Sequence, residues 1–318
     1  MLLPFFLAAT ADSAGTVLDY AANKNWIAAR FAFHQFHIGP VEFPISIVSY
    51  TVFLFSLLAV IFYRFIHVSQ EEQRSAAEIE AARSVQALLI PTQLPSNHNF
   101  MLESAYLPAN GVGGDFFQAL PLQDGSMLIV VGDVSGKGLQ AAMNASTLVG
   151  ALRNELSHDP ATVLNNLNHV LVGAGSLPGS SQKPVLSFAT CVCARIYPDG
   201  IMTIANAGHL SPYRDGREMD LAADLPLGVI PGIQYQEAEF ELKVGDRLIF
   251  LSDGVVEAAN SQGELFGFER TLQVSNESAR YIAQTAKHFG QTDDITVVSI
   301  YFAARTAHGK SELAQPVA

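Results

Sequence analysis

Aspartate recurs at the ends of predicted buried strands, and this recurrence constrains the fold more than any other feature of the sequence. Asp133 follows the apolar run 126–131 and lies in a glycine-rich loop, 132–138. A helix rich in Ala, Leu and Met is predicted directly after this loop, over 139–156. Asp253 repeats the arrangement at the end of a second hydrophobic strand. Because glycine lets a backbone approach a ligand closely, such loops are suited to present carboxylates to a shared ligand.

Three further carboxylates lie at predicted strand ends. Asp115 follows two glycines, and Asp293 and Asp294 are at the start of the last predicted strand. Carboxylate oxygens are hard ligands that suit Mg²⁺ or Mn²⁺ and discriminate poorly between them. Two such ions can bridge a water, lower its pKa and direct it at phosphorus. A single Asp-Gly pair is most often a turn, but several acidic strand ends in one domain predict a hard-cation site.

The pattern from residue 100 onward predicts an α+β domain. Strands are predicted at 101–107, 114–122, 126–133, 185–197, 200–206, 211–214, 236–242, 246–252 and 294–302, and helices at 139–156, 160–173, 266–273 and 276–288. Runs of strands with segregated helices indicate a layered domain of about 220 residues.

Residues 44–63 are predicted to form a membrane-spanning helix. The stretch has no charged residue, is close to the ~20 residues that cross a bilayer and is apolar all round. A buried core helix is the alternative. The nearby basic residues are Arg64, Arg74 and Arg83 after the stretch and Lys24 and Arg30 before it. The expected protein is a single-pass protein of the inner (cytoplasmic) membrane. By the positive-inside rule, residues 1–43 are predicted to lie outside and the C-terminal part in the cytoplasm.

The two chain ends receive separate predictions. Ala9-Thr10-Ala11 resembles a signal-peptide cleavage site, but no basic residue precedes it. Cleavage and retention of this segment therefore both stay open. Residues 305–318 are predicted to be a disordered tail.

A linker helix is predicted over 69–91, where strong helix formers end at a proline. Ile79, Ala82, Gln86 and Leu89 share one stripe of this helix. Such a stripe favours either a parallel coiled coil, hence a homodimer through 69–90, or packing of the helix on its own domain. The domain that follows is expected to cover 92–304.

Charge and cysteine content exclude other classes of function. The net charge is −12, so no basic surface is expected to neutralise the phosphates of a nucleic acid. Cys191 and Cys193 lie at alternate positions of one predicted strand and point to the same face. They are predicted to be buried thiols rather than a disulfide or a zinc site.

A set of short motifs, in a fixed order, carries a family resemblance. They are Ala82–Pro91, Tyr106–Ala109, Val112–Phe117, Gly132–Gly138, Asn206–His209, Gly245-Asp246, Ser252–Ala258 and Asp293–Thr296. Over residues 78–302 the chain resembles the metal-dependent Ser/Thr protein phosphatases of PPM type, in their bacterial RsbU-like and sporulation stage II E branch.

The resemblance implies a β-sandwich flanked by helices, with two Mn²⁺ or Mg²⁺ ions at one end. The metal ligands it implies are Asp115, Asp133, the backbone carbonyl of Val134, Asp253, Asp293 and Asp294. Asp115, Asp133 and Asp253 are also expected to be catalytic, with Asp133 bridging the ions. Asp294 ranks below Asp293, because the broader superfamily often has Asn at that position.

Other polar residues of the motifs receive open interpretations. Ser135 stands where eukaryotic relatives have a histidine that is a candidate general acid, which leaves protonation of the leaving group unassigned. His209 is expected either to contact phosphate or to stabilise a turn, and Asn206 to be structural. Lys137 either contacts phosphate or is solvated.

The expected function is that of a membrane-tethered serine/threonine phosphatase. Metal-activated water would attack phosphorus without a phospho-enzyme. The resemblance implies that the substrate is a phosphorylated STAS-type anti-anti-sigma protein of a partner-switching system. The alternative is a catalytically silent domain that docks such a partner, but a silent domain has no need of clustered like charges, which are costly.

Overall fold

Two five-stranded sheets, packed face to face, form the core of the domain. The computed structural model describes residues 35–303 except 39, 92–93, 97–98, 110 and 175–187. The first sheet contains, in spatial order, β10 (Glu237–Glu241), β7 (Ile201–Ala207), β6 (Ala189–Ile196), β5 (Met127–Val134) and β4 (Asp115–Pro121). The second contains β3 (Phe100–Leu107), β12 (Ile295–Phe302), β11 (Arg247–Leu251), β8 (Tyr213–Arg214) and β9 (Arg217–Glu218). The predicted α+β sandwich is confirmed.

Along each strand, the side chains point alternately into the core between the sheets and to the outer face of the sheet. Successive side chains of a strand point to opposite faces, so Val131 of β5 faces the second sheet while Val130 faces outward. The side chains between the sheets include Phe117, Ile129, Val131, Val192, Phe250 and Val298. Burying each large apolar side chain stabilises the fold by about 1.5–3 kcal/mol.

Helices cover both outer faces. The described helices are α1 (Ile45–Leu89), most of which precedes the domain, and, within the domain, α2 (Leu139–Arg153), α3 (Pro160–Ala174), α4 (Asp253–Val256), α5 (Gly267–Val274) and α6 (Ala279–Gly290). Leu148 of α2 and Leu164 of α3 are buried in one cluster with Val130 of the first sheet. Ile282 of α6 is buried in a cluster with Ile249 of the second sheet. The domain is therefore a sandwich with a helical layer on each side.

The chain divides into two units, Met1–Ala77 and Glu78–Ala318, and the boundary falls within α1. In the first unit, β1 (Gln35–Ile38) pairs antiparallel with β2 (Val41–Pro44). This hairpin was not predicted from the sequence.

One stretch of α1, Thr51–Gln70, is long and apolar enough to cross a membrane, and none of it is buried within the protein. It begins further along the chain than the predicted span at 44–63. Length and composition alone carry this assignment.

Most elements of the domain agree with the sequence predictions to within a few residues. For example, α2 ends three residues before the predicted 156. Cys191 and Cys193 are free and buried, as predicted. Strand β9 and helix α4, of two and four residues, were not predicted.

Some predictions concern parts of the chain that the structure does not describe. These are the N-terminal segment up to residue 34, with its cleavage-like site, the tail 305–318, and the side chains of Ile79, Ala82 and Leu89. The coiled coil and the disordered tail stay predictions.

Candidate metal centre

The inter-sheet core changes from apolar to acidic at one end of the sandwich. Asp115 of β4 and Asp133 of β5 are direct cross-strand partners, and Thr190 of β6 is the partner of Asp133 on its other side. Cross-strand partners point to the same face of a sheet. These three side chains therefore continue the inward-facing rows that Phe117 and Val131 fill with apolar groups.

Asp115 is the most deeply buried carboxylate of the row, with 1% of its surface exposed. Thr296 of the second sheet donates a hydrogen bond from Oγ1 to Asp115 Oδ2, at 2.5 Å. Burial, and then the charge of Asp133, raise the pKa of Asp115 well above its usual range. The threonine hydroxyl thus orients a carboxylate that lies in an unfavourable environment for its charged form.

Asp133 lies at the centre of the carboxylates. Its pKa is raised to about 7, first by burial and then by the charges of Asp253, Asp293 and Asp294. These neighbours come from two segments of the second sheet, after β11 and before β12. The N–H of Gly114 donates to Oδ2 of Asp294, and a Cβ at Gly114 would lie 2.9 Å from Oδ1 of Asp133. The fold therefore brings together two carboxylates that are 161 residues apart in the sequence.

The absence of a side chain at Gly114 makes room for one oxygen of Asp133 and for the carbonyl oxygen of Val134. A Cβ atom at Gly114 would lie 2.5 Å from the carbonyl oxygen of Val134 and 2.9 Å from Oδ1 of Asp133. Both oxygens therefore face the same small space above Gly114. A backbone carbonyl and a carboxylate in this arrangement are oxygen donors of the kind that Mg²⁺ and Mn²⁺ prefer.

Asp253 is the first residue of α4, directly after β11. Burial, then Glu257 and Asp293, raise the pKa of its carboxyl. Gly254 follows Asp253 directly, and a glycine after an aspartate can leave room for a water or a carbonyl ligand. A Cβ there would lie 1.9 Å from the carbonyl oxygen of Asp294, so the space is used for packing two backbone segments together.

Asp293 and Asp294 have different environments. Asp294 is buried, and its Oδ1 and Oδ2 accept hydrogen bonds from the backbone N–H groups of Ala109 and Gly114, each at 2.8 Å. Asp293 is half-buried, and its Oδ2 lies 2.7 Å from Nζ of Lys137. The structure thus gives Asp294 a role in holding the loop that carries Asp115. This supports ranking Asp294 below Asp293 as a ligand.

Ser135 is used to join two backbone segments. Its Oγ accepts the N–H of Phe188 at 3.1 Å, and its own N–H donates to the carbonyl oxygen of Phe188 at 2.8 Å. These contacts extend the β5–β6 pairing beyond Val134. The position that holds a histidine in eukaryotic relatives therefore has a structural contact here.

His209 lies inside the domain. Its Nδ1 is 2.9 Å from Oγ1 of Thr190, and burial lowers its pKa to about 4, so the ring is neutral at pH 7. Asn206 accepts the N–H of His209 and donates to its carbonyl oxygen, which closes the turn. The structural interpretation of both residues is supported.

Gln86, near the end of α1, contacts the loop before Asp115 directly. Its Nε2 donates to the carbonyl oxygen of Gly113 at 2.7 Å, and its Oε1 accepts the N–H of Gly113 at 3.2 Å. The sequence placed Gln86 on the predicted packing stripe of this helix but did not predict its partner, although a polar residue within an otherwise apolar stripe was a usable signal. The helix end and the Asp115 loop are thus joined by a buried pair of hydrogen bonds.

The donor set is suited to divalent ions. Among the described residues, no three His, Cys, Asp or Glu side chains already converge closely enough to hold an ion. Mg²⁺ usually keeps several waters and binds one or two carboxylates directly, and the carbonyl of Val134 adds a donor of another kind. Burial, and then the charges of neighbouring carboxylates, raise the pKa values of Asp115, Asp133 and Asp253, and a bound cation would relieve the repulsion. The residues fit the ions that the sequence implied.

The sequence matches one protein family over more than half of its length. The family is described as stage II sporulation protein E (SpoIIE), and the match covers residues 123–303. A curated relative, the phosphoserine phosphatase RsbU of Bacillus subtilis, is 30% identical over 202 residues, which are 61% of this chain and 58% of the relative. The chain therefore spans less than two thirds of that relative.

Solved structures share the fold. The SiaA-PP2C domain of Pseudomonas aeruginosa matches with a TM-score of 0.60 and 21% identity, over 73% of this chain and 98% of that one. The catalytic domain of the serine/threonine protein phosphatase PstP, in complex with two manganese ions, matches with a TM-score of 0.50 and 15% identity, over 65% of this chain and 99% of that one.

Replacing Gly114 by Ala tests the crowded space beside Asp133. The added methyl must displace the Val134 carbonyl or the Asp133 carboxylate, so we expect the free energy of unfolding to fall by about 1–3 kcal/mol. If both oxygens bind metal, the affinity for Mn²⁺ should fall by about tenfold or more. Thermal unfolding and titration calorimetry of the full chain in detergent would measure the two effects.

Gly150→Ala is the matched control, because a Cβ at Gly150 of α2 meets nothing within 4 Å. It should leave Mn²⁺ binding unchanged. A Gly114→Ala variant with wild-type Mn²⁺ affinity would show that these oxygens do not bind the ion.

Proposed function

We propose that this chain, which belongs to the stage II sporulation protein E (SpoIIE) family, is a metal-dependent protein serine/threonine phosphatase. The observation that carries the proposal is the meeting of carboxylates from both sheets: Asp115 and Asp133 are cross-strand partners, and Asp294 accepts the N–H of Gly114 beside Asp115. Support comes from the relative named as a phosphoserine phosphatase and from the related fold solved with two manganese ions.

Two Mn²⁺ or Mg²⁺ ions would be held by the clustered oxygens. The proposed ligands are Asp115, Asp133, the carbonyl of Val134, Asp253 and Asp293, with Asp294 as a weaker candidate. Bound ions would place positive charge beside the phosphoryl oxygens and would lower the pKa of the attacking water. Asp115, Asp133 and Asp253 are the proposed catalytic residues.

The chain's own contacts would keep these ligands in place. Thr296 fixes the Asp115 carboxylate, and Asp294 holds the backbone around Gly114. Asp133, Asp253 and Asp293 each retain some exposed surface, so a phosphorylated side chain would approach from their side. Positioned ligands of this kind need little rearrangement during the reaction.

The proposed substrate is a phosphoserine or phosphothreonine of a STAS-type anti-anti-sigma protein in a partner-switching system. The family and the similarity to RsbU support this choice. The apolar stretch of α1 would tether the chain to the inner membrane, with the phosphatase domain in the cytoplasm, and residues 69–90 would mediate a homodimer.

A phosphatase assay with and without metal tests the activity. The full chain in detergent should hydrolyse a generic phosphomonoester with Mn²⁺ and lose this activity in excess chelator. Asp133→Asn and Asp253→Asn each remove a ligand charge at nearly constant volume, so each should reduce the rate by about 10²–10³-fold or more. Circular dichroism would verify that the variants remain folded.

Asp199→Asn provides the control, since Asp199 lies in the β6–β7 turn at the opposite end of the sandwich and can keep its contact with the N–H of Ile201. Turnover that persists in excess chelator would rule out the metal mechanism. A folded, Mn²⁺-binding protein without turnover on any phosphoprotein would favour the alternative, a silent docking domain.

We also propose that the linker helix, residues 69–91, controls the metal centre through Gln86. The bidentate contact of Gln86 with Gly113 is the link between the helix and the Asp115 loop. A change in helix packing would alter the centre only if this contact differs between the two states.

Gln86→Ala tests this link. Losing two buried hydrogen bonds costs roughly 1–3 kcal/mol, so the Mn²⁺ concentration needed for half-maximal activity should rise by about tenfold. The maximal rate at excess Mn²⁺ should change less. The control is Ser84→Ala, because the Ser84 side chain is exposed and bonds only its own helix at Glu80. Superimposable Mn²⁺ titration curves for wild type and Gln86→Ala would mean that the helix is a tether without control.

A further inference from the structure

Lys137 forms an ion pair at the mouth of the carboxylate cluster. Its Nζ lies 2.7 Å from Oδ2 of Asp293 and 3.2 Å from the carbonyl oxygen of Thr292. The ammonium therefore joins the loop after β5 to the segment before β12, one from each sheet. The side chain is exposed, in keeping with the interpretation of a solvated lysine, but the sequence did not predict the ion pair with Asp293.

The backbone around Lys137 has a specific conformation. Gly136 and Gly138 have φ angles of 101° and 72°, which favour glycine. A Cβ at either position would meet nothing within 4 Å, so conformation rather than space requires these two glycines. The loop that presents Lys137 to Asp293 thus depends on a glycine at each side.

The ion pair contributes little to folding. The side chains of Lys137 and Asp293 are 58% and 32% exposed, and exposed pairs of this kind have small effects on stability. A divalent ion carries twice the charge and is a stronger partner for a carboxylate in an acidic cluster. We therefore expect the ion pair to affect metal binding by Asp293 more than it affects folding.

We propose that Lys137 is an exchangeable counter-ion of Asp293: its ammonium holds this carboxylate when no divalent ion is bound and releases it when one binds. This inference rests on the proposed function, in which Asp293 is a metal ligand. The apparent affinity for the ion at Asp293 is then reduced by the fraction of molecules in which the ion pair is closed. The metal requirement of the centre is set partly by an internal cation.

Calorimetric titration of Mn²⁺ into the full chain, purified in detergent, tests the exchange. Lys137→Gln should bind Mn²⁺ about three- to fivefold more tightly than wild type, which corresponds to the strength of an exposed ion pair. In an Asp293→Asn background the same substitution should change the dissociation constant less than twofold. Lys243→Gln is the matched control, because Lys243 is exposed and precedes β11, at the end of that strand opposite Asp253.

A labelling experiment provides a readout that does not depend on the Asp293 variant. Release of Lys137 should increase its rate of acetylation by acetic anhydride severalfold when Mn²⁺ is added, while Lys243 reacts at a constant rate. Mass spectrometry of the digested protein would follow both lysines.

The outcomes separate this inference from the proposed function. If Lys137→Gln tightens Mn²⁺ binding equally in the wild-type and Asp293→Asn backgrounds, the effect is one of overall charge. If Lys137→Gln binds Mn²⁺ no more tightly than wild type, Lys137 does not compete with the ion for Asp293. Either result overturns the exchange. An acetylation rate of Lys137 that does not rise with Mn²⁺ also overturns it. A wild-type chain that binds no Mn²⁺ contradicts the proposed function itself, and the inference with it.

Discussion

Repulsion between buried carboxylates is the constraint on which the candidate site depends. Burial and the neighbouring Asp253 and Asp293 raise the pKa of Asp133 to about 7, and Asp115 beside it is also shifted upward. Without a cation the cluster reduces its charge by holding protons, which contributes stability at low pH that is lost as the pH rises through about 7. Metal binding replaces those protons with positive charge, so stability, pH and metal occupancy are coupled.

The sandwich can accommodate such a cluster because each sheet supplies part of it. Within the first sheet, Asp115 and Asp133 are cross-strand neighbours, and the second sheet contributes Asp253 and Asp293 at the ends of its strands. Extensive apolar burial between and outside the sheets stabilises the domain against this local cost. Glycines allow the close backbone contacts, as at Gly254, where a Cβ would lie 1.9 Å from the Asp294 carbonyl oxygen.

The sequence predicted the strands, the main helices and the acidic strand ends, because these depend on local periodicity and glycine-rich turns. It did not predict contacts that need both sheets in place. Thr296 and Asp115 are 181 positions apart, and nothing near either residue in the sequence indicates their hydrogen bond. The ranking of Asp293 above Asp294 as a ligand stays a prediction, and the hydrogen bonds that Asp294 accepts from two backbone N–H groups appear only in the folded domain.

The most direct test of the account is the position of bound metal. Anomalous diffraction at the manganese edge, from crystals of the full chain grown with Mn²⁺, would locate each ion. If the carboxylate cluster is the metal centre, two peaks are expected at the acidic end of the sandwich, both in contact with Asp133, with the Val134 carbonyl bound to one of them. Peaks elsewhere, or no peak beside Asp133 in an active preparation, would contradict it.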